Sequence, residues 1–191
     1  MARPKQFDEQ RAVDAAMRAF WSAGYEGTST QDLCAATGLG RSSIYNTFSS
    51  KHDLFQRALR RYMDVKNEAT FAMLDAPGSA KDRVRRVLWN VIESPDEDPL
   101  GCLVVNSMVE LGPRDGEVAR MLRADMDLRL AALTATIAAG QRAGEIATSR
   151  PAAELAQFVT ATVSGMRVVA RGGADRAVLE SIAEVALDSL G

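Results

Sequence analysis

The sequence predicts an all-α protein of about nine helices, and three observations carry that prediction. Apolar residues recur at three- and four-residue steps in nearly every segment. No β-branched run alternates with period two over a convincing length. The breaks between periodic segments hold capping residues, glycine or proline. Val13, Ala16, Met17 and Phe20 mark the first helix, with Gly24 as its stop. Ser29 caps a short helix over Thr30 to Thr37, with Asp32 in the capping-box position. Gly38-Leu39-Gly40 breaks it, and a second short helix covers Arg41 to Phe48. Ser49-Ser50 then caps a long helix through Leu54, Ala58, Leu59, Tyr62 and Val65 to Leu74. Ser79 with Asp82 opens the next, carrying Val84, Val87, Leu88 and Val91. "SPDEDPLG" reads as an acidic loop, followed by an apolar segment from Cys102 to Leu111. After "GPRDG" a long helix runs through Val118, Leu122, Met126, Leu130, Leu133 and Ile137. Ser149 is the expected cap of the eighth helix, Ala152 to Ala170, and Gly172-Gly173 separates it from the ninth, Asp175 to Leu190.

Composition narrows the function classes. The 191 residues are 47% hydrophobic and 25% charged, ordinary for a globular chain. No apolar run approaches the roughly 18 residues that span a bilayer, and "MARPKQFDEQ" lacks the apolar core of a secretory signal, so no membrane partner is expected. Cys34 and Cys102 form no CxxC pair or disulfide framework, which fits a reducing cytoplasm. Net charge is −2, yet residues 1–61 hold nine Lys/Arg against six Asp/Glu, and the remainder fourteen against nineteen. A basic N-terminal module on an acidic body localises any contact with polyanions.

The stretch "TGLGRSSIYNTFSSKHDLF" has glycines that invite a phosphate-loop reading. It follows a helix instead of a strand, and lacks both the third glycine of a dinucleotide fingerprint and the Gly-Lys-Ser/Thr ending of a P-loop. A helix-turn-helix accounts for it better. Leu33, Leu39, Ile44 and Phe48 form a small core, while Ser42 and Asn46 lie opposite Ile44 with Ser43 and Tyr45 on the flanks. Those are the side chains a helix in the major groove presents to base edges. Arg41 at the helix start reaches a guanine edge or a phosphate, and Lys51 with the amides opening the next helix grips a phosphate. On spacing alone, a plain helical hairpin with a solvated polar face fits as well.

"AFWSAGYEGTSTQDLCAATGLGRSSIYNTFSSKHDLF" resembles the DNA-binding module of TetR/AcrR-type transcriptional repressors. Phe20, Gly24-Tyr25, Thr28-Ser29, Asp32-Leu33, Ala36, Gly38-Leu39, Ile44-Tyr45, Phe48, Ser50-Lys51 and Leu54-Phe55 stand in register. The resemblance implies a DNA-binding domain over 1–50 and a ligand-binding and dimerisation domain over 51–191. It also implies a recognition helix from Arg41 to Thr47, backbone contacts from Tyr45 and Lys51, and contacts from Thr28 and Thr30 at the start of the preceding helix. Asn46-Thr47 replaces a frequent Tyr-His, and asparagine can pair with adenine through two hydrogen bonds. Gly40 replaces a frequent serine and weakens the helix cap by a few tenths of a kcal/mol.

A repressor of this type couples an unknown small-molecule inducer to operator DNA. The candidate pocket residues are Phe71, Trp89, Asn106, Met108, Met121, Met126, Phe158, Thr162 and Met166; taken singly, each apolar one is better explained by simple core filling. Cys102 joins them as either a reactive thiol or a small buried hydrophobe, and the neighbouring Asp96, Glu97 and Asp98 oppose thiolate formation. The last two helices are expected to pair across a homodimer through Leu155, Val159, Gly165, Val169, Val178, Ile182 and Val185. No cofactor, metal or catalytic residue is expected: the single histidine, His52, lies at a helix start, with no HExxH or GxSxG. An architectural DNA binder would be basic throughout, unlike this body.

Overall fold

The computed structural model describes residues 3–93 and 100–191. Among them the chain forms nine helices and no strand: α1 (Arg3–Gly27), α2 (Thr30–Thr37), α3 (Arg41–Thr47), α4 (Lys51–Asp75), α5 (Ala80–Glu93), α6 (Leu103–Glu110), α7 (Gly116–Ala143), α8 (Ala152–Arg171) and α9 (Arg176–Asp188). The expected acidic loop, with Asp96, Glu97 and Asp98, lies outside the described residues. The helices belong to two compact units, one of Met1–Val65 with Leu103–Leu122, the other of Lys66–Cys102 with Arg123–Gly191.

In the first unit α1 packs on α2 and α6, and α2 on α3. Phe20, Leu33, Ile44, Phe48, Leu54 and Phe55 are fully buried, and each large apolar side chain removed from water contributes about 1.5–3 kcal/mol. Phe20 meets the edge of Phe55 with centroids 5.1 Å apart, and Tyr25 meets Phe55 at 5.0 Å. These rings explain why the unit extends past residue 50: the first turns of α4 complete the helix-turn-helix core. Leu39, expected in that core, is half-buried, as is Cys34.

The caps follow from local chemistry. Ser29 accepts from the Asp32 amide at 3.2 Å while its own amide donates to Asp32 at 2.8 Å, a complete capping box at α2. The Ser29 hydroxyl, donating to Asp32 Oδ2 at 2.6 Å, and then the Ser29 amide hold the Asp32 carboxyl below its usual range. Gly38 ends α2 at φ +69°, a left-handed conformation that glycine enters freely. Ser50 caps α4 by accepting from the Asp53 amide at 3.0 Å. Gly40, at the N-terminus of α3, supplies no side-chain cap.

The second unit packs α5, α8 and α9 pairwise. Val84, Leu88, Ile137, Ala156, Val159, Met166, Ala183 and Leu190 sit at the centre of its core. Ser79 and Asp82 form a capping box at α5, Asp82 N donating to Ser79 Oγ at 3.1 Å and Ser79 N to Asp82 at 3.2 Å. Ser149 does not cap α8. Pro151 takes that position without a side-chain bond, its fixed φ already matching the helix entry.

Candidate nucleic-acid interface

Position 44 organises α3. Ile44 is buried, which turns Arg41, Ser42, Ser43, Tyr45 and Asn46 outward as exposed side chains, with Thr47 half-buried beside them. A seven-residue helix has room for only one inward anchor per turn, so the rest of its surface is polar and accessible. The Tyr45 hydroxyl shares a hydrogen bond with Thr30 at 3.1 Å, and the Arg41 guanidinium lies 5.9 Å from the Tyr45 ring centroid. Thr30, Tyr45 and Arg41 therefore form one connected surface across α2 and α3. Lys51 is half-buried, its ammonium 4.4 Å from the Tyr25 ring centroid, which holds the cation at the start of α4.

Thr28, expected among the DNA contacts, lies differently from Thr30. It is buried, and its hydroxyl donates to the Gly24 carbonyl at 2.6 Å. Its side chain fastens the end of α1 and presents nothing outward.

Two contacts that sequence reasoning missed hold this surface. Gly24 interrupts α1 at φ +76°, and the freed amides of Tyr25 and Glu26 donate to the Glu110 carboxylate of α6 at 3.0 and 2.8 Å. Asp115 caps α7 by accepting from the amides of Glu117 and Val118 at 2.9 and 3.0 Å, and its other oxygen meets His52 Nε2 at 2.5 Å. Burial works against the ionised Asp115, but the Val118 amide and His52 outweigh it and hold the carboxyl below its usual range. The Tyr25 phenol is pushed up by burial first, then by the Glu26 and Asp115 carboxylates. Both contacts join residues more than sixty positions apart, so only the fold reveals them.

The expected pocket residues are divided between the two units. Asn106, Met108 and Met121 belong to the first unit, and Phe71, Trp89, Cys102, Met126, Phe158, Thr162 and Met166 to the second. Met166 and Cys102 are buried, while Met108 is 39% and Phe158 46% exposed. Trp89 sits under the Arg85 guanidinium, 4.2 Å from its ring, and Thr162 donates to the Phe158 carbonyl at 2.9 Å. Cys102 accepts from Arg167 at 3.1 Å, a cation that its sequence neighbours do not suggest. A cavity of about 350 Å³ between α5 and α9 is lined by Lys81, Asp82, Arg85, Glu184, Leu187 and Asp188, none of them among the expected residues.

The expected dimer residues also divide. Leu155 and Val159 are buried within the second unit, whereas Gly165, Val169, Val178 and Val185 are exposed and Ile182 is half-buried. The outward stripe of α8 is Phe158, Gly165, Val168 and Val169, which keeps Gly165 and Val169 of the expected set and leaves out Leu155 and Val159. Among the described residues, no group of His, Cys, Asp and Glu is arranged to hold a metal, and no helix is long and apolar enough to cross a membrane.

Residues 12–58 match the model for bacterial regulatory proteins of the tetR family, and residues 80–185 match the tetracyclin repressor-like C-terminal domain. The HTH-type transcriptional repressor ComR of Escherichia coli (strain K12) is 35% identical over 189 residues, covering 97% of this chain and 90% of ComR. A cysteine-substituted CifR, a TetR family transcriptional regulator complexed with 26-bp operator DNA, superposes with a TM-score of 0.85 at 29% identity, covering 95% and 96% of the two chains. A TetR transcriptional regulator from Chloroflexus aurantiacus gives a TM-score of 0.88 at 28% identity, covering 97% and 95%.

Proposed function

This chain belongs to the TetR family of transcriptional repressors and is no enzyme, and from that premise we propose that it binds its operator as a homodimer and is released by a small molecule. The observation that carries the reading is α3, with Ile44 buried and a polar face turned outward. Arg41, Ser42, Ser43, Asn46 and Thr47 read base edges in the major groove. Thr30, Tyr45 and Lys51 take phosphates, and Thr28 supports the turn that places them. DNA-binding and ligand-binding functions divide between 1–50 and 51–191. Two copies pair through the outward faces of α8 and α9, chiefly Phe158, Gly165, Val168, Val169, Val178 and Val185, placing two reading heads about one or more helical turns of DNA apart, roughly 34 Å or a little over. The protein works in the cytoplasm, where its DNA lies.

Release is a coupling problem. Residues 51–65 of α4 belong to the first unit and 66–75 to the second. A ligand that favours a shifted α4 misplaces the reading heads, with typically 1–3 kcal/mol of coupling set by its differential affinity for the two states.

Fluorescence anisotropy against DNA from upstream of the protein's own gene, with a scrambled control and a salt series, tests the reading. Tight binding to the first DNA alone is expected. Asn46→Ala lowers specific affinity by about 1–3 kcal/mol and leaves nonspecific binding unchanged. Lys51→Ala weakens both and reduces the salt slope by about one. Equal, weak and steeply salt-dependent binding to both DNAs overturns specific recognition of that site. Operator affinity that stays constant across a broad ligand screen removes the release mechanism.

A further inference from the structure

We propose that Asn67 and Arg129, both held on the carboxylate of Asp125, form a polar anchor for an apolar ligand carrying an uncharged hydroxyl group; the inference rests on the ligand-responsive reading above. Asn67 lies on α4, and Asp125 and Arg129 on α7, all in the second unit. Asn67 and Asp125 are 8% and 7% exposed. Asn67 Nδ2 donates to Asp125 Oδ1 at 2.7 Å, and Arg129 Nη2 donates to Asp125 Oδ2.

These bonds fix the chemistry of what is left over. A carboxylate accepts only, so the Asn67 amide must turn its nitrogen towards Asp125, which leaves Oδ1 as a buried acceptor without a protein partner. Arg129 spends Nη2 on the same carboxylate and leaves Nε as a buried donor without a protein partner. One acceptor and one donor thus flank a single neutralised ion pair. Burying such groups unpaired opposes folding, and core packing alone would favour apolar side chains here. Phe71, one turn beyond Asn67 on the same face of α4, and Met126, beside Asp125 on α7, are half-buried apolar side chains next to the cluster.

The charge pattern selects the ligand group. Asp125 and Arg129 cancel, so no net field favours an ion. An anionic group would face the Asn67 oxygen and the Asp125 carboxylate; a cationic group would face Arg129 Nε. A hydroxyl is the neutral group that can serve either atom, donating to Asn67 Oδ1 or accepting from Arg129 Nε. Discrimination should be strong, because a ligand lacking that group leaves a buried polar atom of the protein unpaired.

Calorimetric titration of the full-length protein with matched naphthol, naphthoate, naphthylmethylammonium and methylnaphthalene tests the anchor. Naphthol should bind at least about tenfold tighter than the other three, the scale of a buried hydrogen bond. Arg129→Lys keeps the charge on Asp125 and removes Nε; it should erase about tenfold of the naphthol affinity and leave methylnaphthalene unchanged. Asn67→Leu should do the same, and where it fails to give a cooperative melt Arg129→Lys alone decides. Equal or tighter binding of either ion, unchanged naphthol affinity in Arg129→Lys, or no binding by any probe overturns the proposal. Operator anisotropy on the same samples separates the two readings. Retained operator binding with release by some other compound leaves ligand control standing while the anchor falls; loss of operator recognition takes both.

Discussion

At the scale of single residues, two glycines separate backbone strain from side-chain crowding. Gly24 and Gly38 both adopt positive φ, +76° and +69°. A Cβ at Gly38 would meet nothing within 4 Å, whereas one at Gly24 would lie 3.0 to 3.3 Å from the Glu110 carboxylate. Gly38→Ala therefore bears only the left-handed penalty, about 1–2 kcal/mol. Gly24→Ala bears that penalty and also displaces the acceptor for the Tyr25 and Glu26 amides. It should lose about 2–3 kcal/mol, measured as a shift in the urea midpoint. Equal losses at the two sites would mean that Glu110 contributes nothing to holding the end of α1. The same contrast explains Thr28: a residue in register with DNA-contacting positions becomes a buried fastener because the chain turns at Gly24, and its hydroxyl finds a backbone carbonyl.

At the scale of elements, α7 begins at a carboxylate with two duties. Asp115 caps the helix and holds His52, so Asp115→Asn should cost about 1–2 kcal/mol, measured from urea midpoints near neutral pH. Its folded pKa is depressed, so this contribution is fully present above the unfolded carboxylate value of about 3.9 and is lost as pH falls through the lower folded value. The gap between wild type and variant should stay open at about pH 5 and narrow as pH falls below the unfolded value of about 3.9. A gap that persisted there would assign the effect to side-chain packing. The capping boxes at Ser29 and Ser79 were legible in the sequence because each needs only residues three apart. Asp115 with His52 and Glu110 with α1 were not, because each pairing depends on tertiary packing. Periodicity found all nine described helices, yet on α8 it grouped the buried Leu155 and Val159 with the exposed Gly165 and Val169. Both faces of α8 are apolar, and only the positions of α5 and α9 decide that Leu155 and Val159 point inward. Asn67 and Asp125 carried a faint signal, as polar residues among apolar repeats, which pattern alone could not tell from surface positions.

At the scale of the whole molecule, the exposed apolar stripe asks for a partner. Phe158, Val168, Val178 and Val185 on α8 and α9 are 46%, 55%, 46% and 64% exposed. Gly165 beside them has open space where a Cβ would stand, which permits close helix approach. Burial of these side chains against a second copy would contribute about 25 cal/mol per Å² of apolar surface before association entropy is subtracted. Val185→Glu places a charge on that face without touching the core. It should give a monomer by sedimentation, with its cooperative thermal transition kept and operator affinity sharply reduced, because each half-site is then bound alone. Leu155→Glu is the contrasting case: Leu155 is buried inside the unit, so that variant should lose its fold before its oligomeric state can be read. If Val185→Glu sedimented as the wild type does and kept its grip on DNA, pairing would have to use another surface. The α8 and α9 stripe would then be free of any part in operator binding.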